Sequence, residues 1–112
     1  MPPKRNPLGL NALQLKTLTL LQELARMTGK AGSAEDAGVA VRPPDPHGDH
    51  FHLGDAIVAT RDASGLRNPA VWAALERKGL IHSMYPNGAV VTPLGLEYET
   101  GLREVILHKS GH

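Results

Sequence analysis

The chain has 112 residues, a formal net charge of +1, no cysteine and an aromatic content of only 4%. That length suits one core but not two, the missing cysteine removes disulfides, thiolate zinc sites and cysteine nucleophiles, and the few aromatics favour a helix-rich aliphatic core over an all-β sandwich. No run approaches the ~20 apolar residues of a membrane span and the opening MPPKRNP lacks the apolar stretch of a signal peptide, so a cytoplasmic protein with no membrane partner is expected.

Residues 1–10, MPPKRNPLGL, form a flexible basic arm carrying Lys4 and Arg5, and a single domain is expected over 11–109. Asn11 and Gln14 have the spacing of a capping box, with Leu10 and Leu15 placed for the hydrophobic staple around it. The first helix then runs to about Thr28, where Gly29 stops it. Leu13, Leu20, Leu24 and Met27 share one face, with Leu18, Leu21 and Ala25 beside them. So wide a stripe predicts burial on more than one side. Residues 30–49 lack periodicity and make a long loop, inside which Val39-Ala40-Val41 has the composition of a short edge strand ended by Pro43-Pro44.

His50-Phe51-His52-Leu53 alternates polar and apolar, as a half-buried strand does. From Asp55 to Arg61 two readings stand. The preferred one is a helix capped by Asp55, with Ala56, Ile57 and Thr60 inward; the other is a strand through Ile57-Val58-Ala59, which β-branching supports. Ala63-Ser64-Gly65 is expected to be a turn.

The most ordered signals lie between Asn68 and Gly95. Asn68 can cap a helix whose first position is Pro69; Val71, Ala74, Leu75 and Lys78 share its face, and Gly79 supplies a left-handed stop. Ile81–Tyr85 and Ala89–Val91 are expected to pair antiparallel across Pro86-Asn87-Gly88, where Asn-Gly favours a tight turn. Thr92-Pro93 is a second cap and first-turn pair. Beyond it Leu94, Tyr98, Leu102, Val105 and Ile106 line one face, interrupted at Thr100-Gly101, giving one kinked helix or a turn followed by a second helix. The expected core is Leu20, Leu24, Val71, Leu75, Leu80, Val91 and Leu94.

This grammar of short helix, Gly-Leu-Ile, two-stranded ribbon and Thr-Pro-Leu-Gly resembles the second half of a winged helix-turn-helix domain. Residues 53–99 resemble MarR-like and PadR-like regulators, and LGLNALQLKTLTLLQEL is similar in pattern to their first helix. The resemblance implies an α+β winged-helix fold of three or more helices with a small antiparallel sheet, its wing hairpin at 81–91 and residues 50–53 pairing with the wing. It implies binding of double-stranded DNA in transcriptional regulation, and a homodimer through the terminal helices.

On that resemblance the helix from Asn68 is the recognition helix, with Arg67, Ala70, Trp72, Ala73, Glu76 and Arg77 outward and Lys78 at its edge. Arg67 and Arg77 suit a phosphate or a guanine edge; Asn68, Trp72 and Lys78 complete the set, and Lys4, Arg5 and Lys16 reach flanking phosphates. Trp72 is read as a partly buried lid on the core in preference to a base-stacking residue. The tip Pro86-Asn87-Gly88 carries no Lys or Arg, although His82 lies on the strand leading to it. Charge is uneven along the chain: +4 over residues 1–30, −4 over 31–62 and +1 over 63–112. The alternative function is a winged-helix protein–protein interaction module without DNA binding, with the 30–50 loop as its contact.

His47, His50 and His52, in PHGDHFH, are candidate metal ligands, with zinc the candidate ion and Asp45, Asp49 and Asp55 nearby. His50 and His52 are two apart, which puts both on one face of a strand. The competing reading is a pair of exposed strand histidines beside a solvated loop. Nothing points to an enzyme: Ser33, Ser64, Ser83 and Ser110 lie in no nucleophile elbow, and no Walker or dinucleotide glycine pattern occurs.

Overall fold

The computed structural model describes residues 7–28, 38–43, 50–53 and 56–109. Helix α1, Ala12–Thr28, starts where its capping box predicts. Asn11 Oδ1 accepts from the Gln14 amide at 2.8 Å, and Asn11 N–H donates to Gln14 Oε1 at 3.0 Å, so two amides of the first turn are satisfied reciprocally. The six residues Thr17 to Gln22 are all buried, so the middle of α1 is enclosed on every side. Polar members of that run are satisfied locally or by other segments. Thr17 and Thr19 donate back to the carbonyls of Leu13 and Leu15, and Gln22 Nε2 donates to the carbonyls of Gly95 and Tyr98 at 2.8 and 2.7 Å. Met27, expected on the core stripe, is 47% exposed, because that face runs past the core in the last turn.

Strand β1, Val39–Val41, is followed by β2, His50–Leu53, and β3, Ala56–Ala59. A 3-10 helix, Thr60–Arg67, leads into helix α2, Pro69–Arg77. Strands β4, Ile81–Met84, and β5, Gly88–Val91, form a hairpin. Two short helices, α3 at Pro93–Glu97 and α4 at Arg103–Ile106, and strand β6, His108–Lys109, complete the described chain. The strands form two antiparallel three-stranded sheets, ordered β1-β5-β4 and β2-β3-β6. The class is α+β.

Residues 56–59 are a strand, not the preferred helix over Asp55 to Arg61. Ala56–Ala59 pairs with β2 on one side and β6 on the other, and Val58 is fully buried. Its β-branched pair thus follows sheet context, from β2 just before it and β6 some fifty residues later, as strand propensity tends to. The expected turn at Ala63-Ser64-Gly65 falls inside the 3-10 helix, which buries Ala63 and Leu66. The strand beside the hairpin is also not the one expected. β1 occupies that place, with Val39 opposite Val91 and Val41 opposite Ala89, while residues 50–53 pair with β3 in the other sheet.

Local signals around α2 behave as their chemistry predicts. Asn68 Oδ1 accepts from the Ala70 amide at 3.0 Å, Pro69 takes the first position, and Gly79 (φ +79°) ends the helix in the left-handed region. The hairpin closes with Met84 opposite Gly88, so its loop is Tyr85-Pro86-Asn87 and not the expected Pro86-Asn87-Gly88. Asn87 N–H returns to the Met84 carbonyl at 2.8 Å, a closure that leaves Gly88 inside the ladder. Thr92 caps α3 by accepting from the Gly95 amide at 3.0 Å.

The core contains Leu20, Leu24, Val71, Leu75, Leu80 and Val91, together with Leu18, Leu21, Trp72, Ile81 and Ile106. Leu94 was expected there and is 49% exposed. Its neighbour explains why: Gly95 presses backbone to backbone on the Leu80 carbonyl, where a Cβ would clash, so α3 turns Gly95 inward and Leu94 outward. Tyr98 follows as a buried anchor whose hydroxyl accepts from the Leu8 amide at 3.1 Å.

Candidate nucleic-acid interface

Helix α2 exposes Pro69, Ala70, Ala73, Glu76 and Arg77, with Arg67 exposed just before it and Lys78 half-buried just after. These positions lie on one side of the helix, a small-residue strip flanked by charges. Asn68 is half-buried and spends its side-chain oxygen on the cap, which leaves only its amide nitrogen for a partner.

Trp72 does not belong to this face. It is fully buried, its Nε1–H donates to the Gly65 carbonyl at 3.1 Å, and its ring meets Tyr85 edge-on at a centroid distance of 5.1 Å. Tyr85 in turn donates its hydroxyl to the Arg67 carbonyl at 2.8 Å. The 3-10 helix and the hairpin turn therefore cover the flank of α2 that an isolated helix would have left in solvent. This corrects the outward placement of Trp72 and favours its reading as part of the core. The same contacts fix the hairpin turn beside Arg67 and the start of α2.

Glu76 is also drawn from the exposed strip. Its Oε2 accepts from the Ser83 amide at 3.1 Å, satisfying an outward N–H on β4, an edge strand of its sheet. The negative charge stays near the interface, leaning toward the hairpin.

The outer surface of the β1-β5-β4 sheet follows from its register. Ala40, Val90 and His82 form one cross-strand row, and Arg42 lies just beyond the paired residues, beside the Gly88–Met84 row. Ala40, Arg42, His82 and Met84 are exposed, Met84 to 52%. Arg42 is the residue that sequence reasoning missed. It stands one position beyond Val39-Ala40-Val41 and before Pro43, and only the pairing of β1 with β5 carries it to the end of a hairpin that lacks a cation.

Cations elsewhere are differently disposed. Lys16 Nζ, expected to reach a phosphate, holds Asp62 Oδ1 at 3.0 Å across α1 and the 3-10 helix. Arg26 and Arg103 share Glu23, at 3.4 and 3.0 Å. A cavity of about 460 Å³ lies beside these two arginines, but Glu97 and Glu99 also line it, so it has no cationic excess.

Lys4, Arg5 and His47 lie outside the described residues. The backbones of His50 and His52 sit on β2 opposite Ala59 and Ile57, while their side chains lie outside what is described. Among the described residues no group of three His, Cys, Asp or Glu could hold a metal ion, and no helix is long and apolar enough to cross a membrane.

Comparison of the chain with protein-family models, curated proteins and solved structures gave no match.

Proposed function

We propose that the chain is a winged-helix protein that binds double-stranded DNA through α2 and the β4–β5 hairpin, in the service of transcriptional regulation. One observation carries this reading: the pairing state of the cations. Lys16, Arg26 and Arg103, around α1, each hold a carboxylate. Arg67, Arg77 and Lys78 at the two ends of α2, and Arg42 beside the hairpin, have no ion-pair partner among the described residues. Side chains that are charged, accessible and uncompensated are those that neutralise phosphate and release counterions. The element order supports the fold half of the proposal. After α1 come three strands, the 3-10 helix, α2 and a hairpin, and the first of those strands, β1, joins the hairpin in the order β1-β5-β4, while β2 and β3 belong to the other sheet.

Ala70 and Ala73 suit the middle of such an interface, because small side chains let a helix approach base edges closely and can meet a thymine methyl. A homodimer would draw on α3, α4 and the Met27 end of α1, since the middle of α1 is enclosed by its own chain. A second reading rests on the same alanines together with exposed Met84: a protein-contact face without DNA binding.

Fluorescence anisotropy of a labelled mixed-sequence duplex, titrated with the full chain over a salt series, separates the two. Binding with a dissociation constant of ~10⁻⁴–10⁻⁶ M at physiological salt is expected for non-specific duplex. The Arg67→Ala/Arg77→Ala double variant should flatten the salt dependence by roughly 1.8 in log–log slope, at about 0.9 per phosphate lost. Lys16→Ala should leave it unchanged, because that ammonium is already engaged. No binding at low salt, with no sequence enriched from random duplex, overturns the DNA reading in favour of the protein-contact one.

A further inference from the structure

Beside the hairpin end lies a groove of about 620 Å³ lined by Ala40, Val41, Arg42, Met84, Asn87 and Gly88. Its chemistry is divided. Ala40 and Met84 offer exposed apolar surface, whereas Arg42 and Asn87 offer amide and guanidinium donors at the rim. Among the described residues no carboxylate lines it. The groove exists because β1 closes tightly on β5 at Gly88. A Cβ at that position would stand 2.6 Å from the Val41 carbonyl oxygen and 3.5 Å from Arg42 Cγ. Any larger residue would push β1, and Arg42 with it, away from the hairpin.

Resting on the DNA reading above, we propose that this groove is a backbone-contact site taking one sugar–phosphate unit, its phosphate on Arg42 and Asn87 and its sugar against Ala40 and Met84. Charge complementarity selects the occupant. A rim with amide and guanidinium donors, whose one guanidinium has no ion-pair partner among the described residues, suits a singly charged phosphodiester, and the apolar floor suits the carbon edge of a pentose. The hairpin thereby acquires, from a strand some forty-five residues earlier in the chain, the cation that its own loop lacks. Such a contact positions the protein on the duplex and carries no base information.

The experiment is a salt series of duplex binding by the full chain and two variants, Arg42→Ala and Arg42→Lys. Arg42 is exposed, so neither substitution disturbs the core. Arg42→Ala should flatten the log–log salt slope by about 0.9, the value for one phosphate, without changing which sequences are preferred. Arg42→Lys should retain the slope, because a point charge still neutralises one phosphate. If wild type binds duplex and Arg67→Ala/Arg77→Ala weakens it while Arg42→Ala keeps the full slope, the groove is overturned and the DNA reading stands. If wild type binds no duplex at low salt, both fall. If poly-glutamate displaces the duplex from wild type as well as unlabelled DNA does, and does so less well from Arg42→Ala, the groove is a site for acidic peptide and the phosphodiester assignment is overturned.

Discussion

Replacing Trp72 by alanine tests whether α2, the 3-10 helix and the hairpin form one unit. The indole is completely buried, so truncation removes its whole transfer term and leaves a cavity, together costing ~3–5 kcal/mol. Losing the Nε1–H bond adds little beyond this, since the Gly65 carbonyl keeps the Asn68 amide at 3.1 Å and is not orphaned. Against a total stability of ~5–15 kcal/mol, the change consumes roughly a fifth or more of the domain's margin. With a urea m value near ~2 kcal/mol/M it should lower the unfolding midpoint by about 2 M. Trp72→Phe keeps an aromatic ring against Tyr85 and should cost less, ~1–3 kcal/mol. Far-UV circular dichroism suits the measurement because Trp72 is the only tryptophan and its fluorescence vanishes with it. A double-mutant cycle with Tyr85→Ala should give a coupling of ~0.5–1.5 kcal/mol from the edge-on ring pair. A loss below about 1 kcal/mol in Trp72→Ala, or no coupling to Tyr85, would refute the docked hairpin.

Two further outcomes are expected. Leu75→Ala should destabilise by ~2–5 kcal/mol in the same urea assay whereas Leu94→Ala should stay within about 0.5 kcal/mol, because Leu75 is fully buried and Leu94 half in solvent; equal losses would contradict that assignment. Glu76→Gln keeps an oxygen for the Ser83 amide but removes a charge beside the exposed strip of α2, so it should tighten duplex binding in the anisotropy assay. Weaker binding would mean that this strip does not face phosphate.

Those features written within four residues of chain were legible from sequence. The Asn11–Gln14 box, the Asn68-Pro69 start, the Gly79 stop and the Thr92-Pro93 cap all join neighbours, and each has the expected partner or backbone conformation. The hairpin at 81–91 was legible for the same reason, although its loop falls one residue earlier, at Tyr85-Pro86-Asn87. What failed depended on pairing and packing partners rather than on the segment's own pattern. Ile57-Val58 could join a helix or a strand until β2 and β6 flanked it. Leu94 matched the stripe of the C-terminal segment, but Gly95's approach to the Leu80 carbonyl turned it outward. Trp72, on the outward arc of α2 by position, was already readable as a lid on the core, and Tyr85 and the 3-10 helix supply its cover. Arg67 and Arg77 were identifiable as exposed cations, whereas Lys16's attachment to Asp62, 46 positions away, and Arg42's place beside Gly88 were not.

A net charge of +1 is a weak argument against a nucleic-acid partner, because the relevant quantity is how many cations on one side remain uncompensated. Here the described ion pairs all involve α1, with Lys16 on Asp62 of the 3-10 helix and Arg26 and Arg103 on Glu23. Among the described side chains Arg42, Arg67, Arg77 and Lys78 are left, and if each meets one phosphate the log–log salt slope is about −3.6. A fourfold rise in salt should then cost one protomer roughly a hundredfold in affinity, while two protomers engaged together would show twice the slope and roughly ten-thousandfold. The measured slope therefore counts protomers as well as phosphates. A value near −3.6 requires that each chain bind alone, and one near −7 requires a dimer bridging two half-sites, built outside the already enclosed middle of α1.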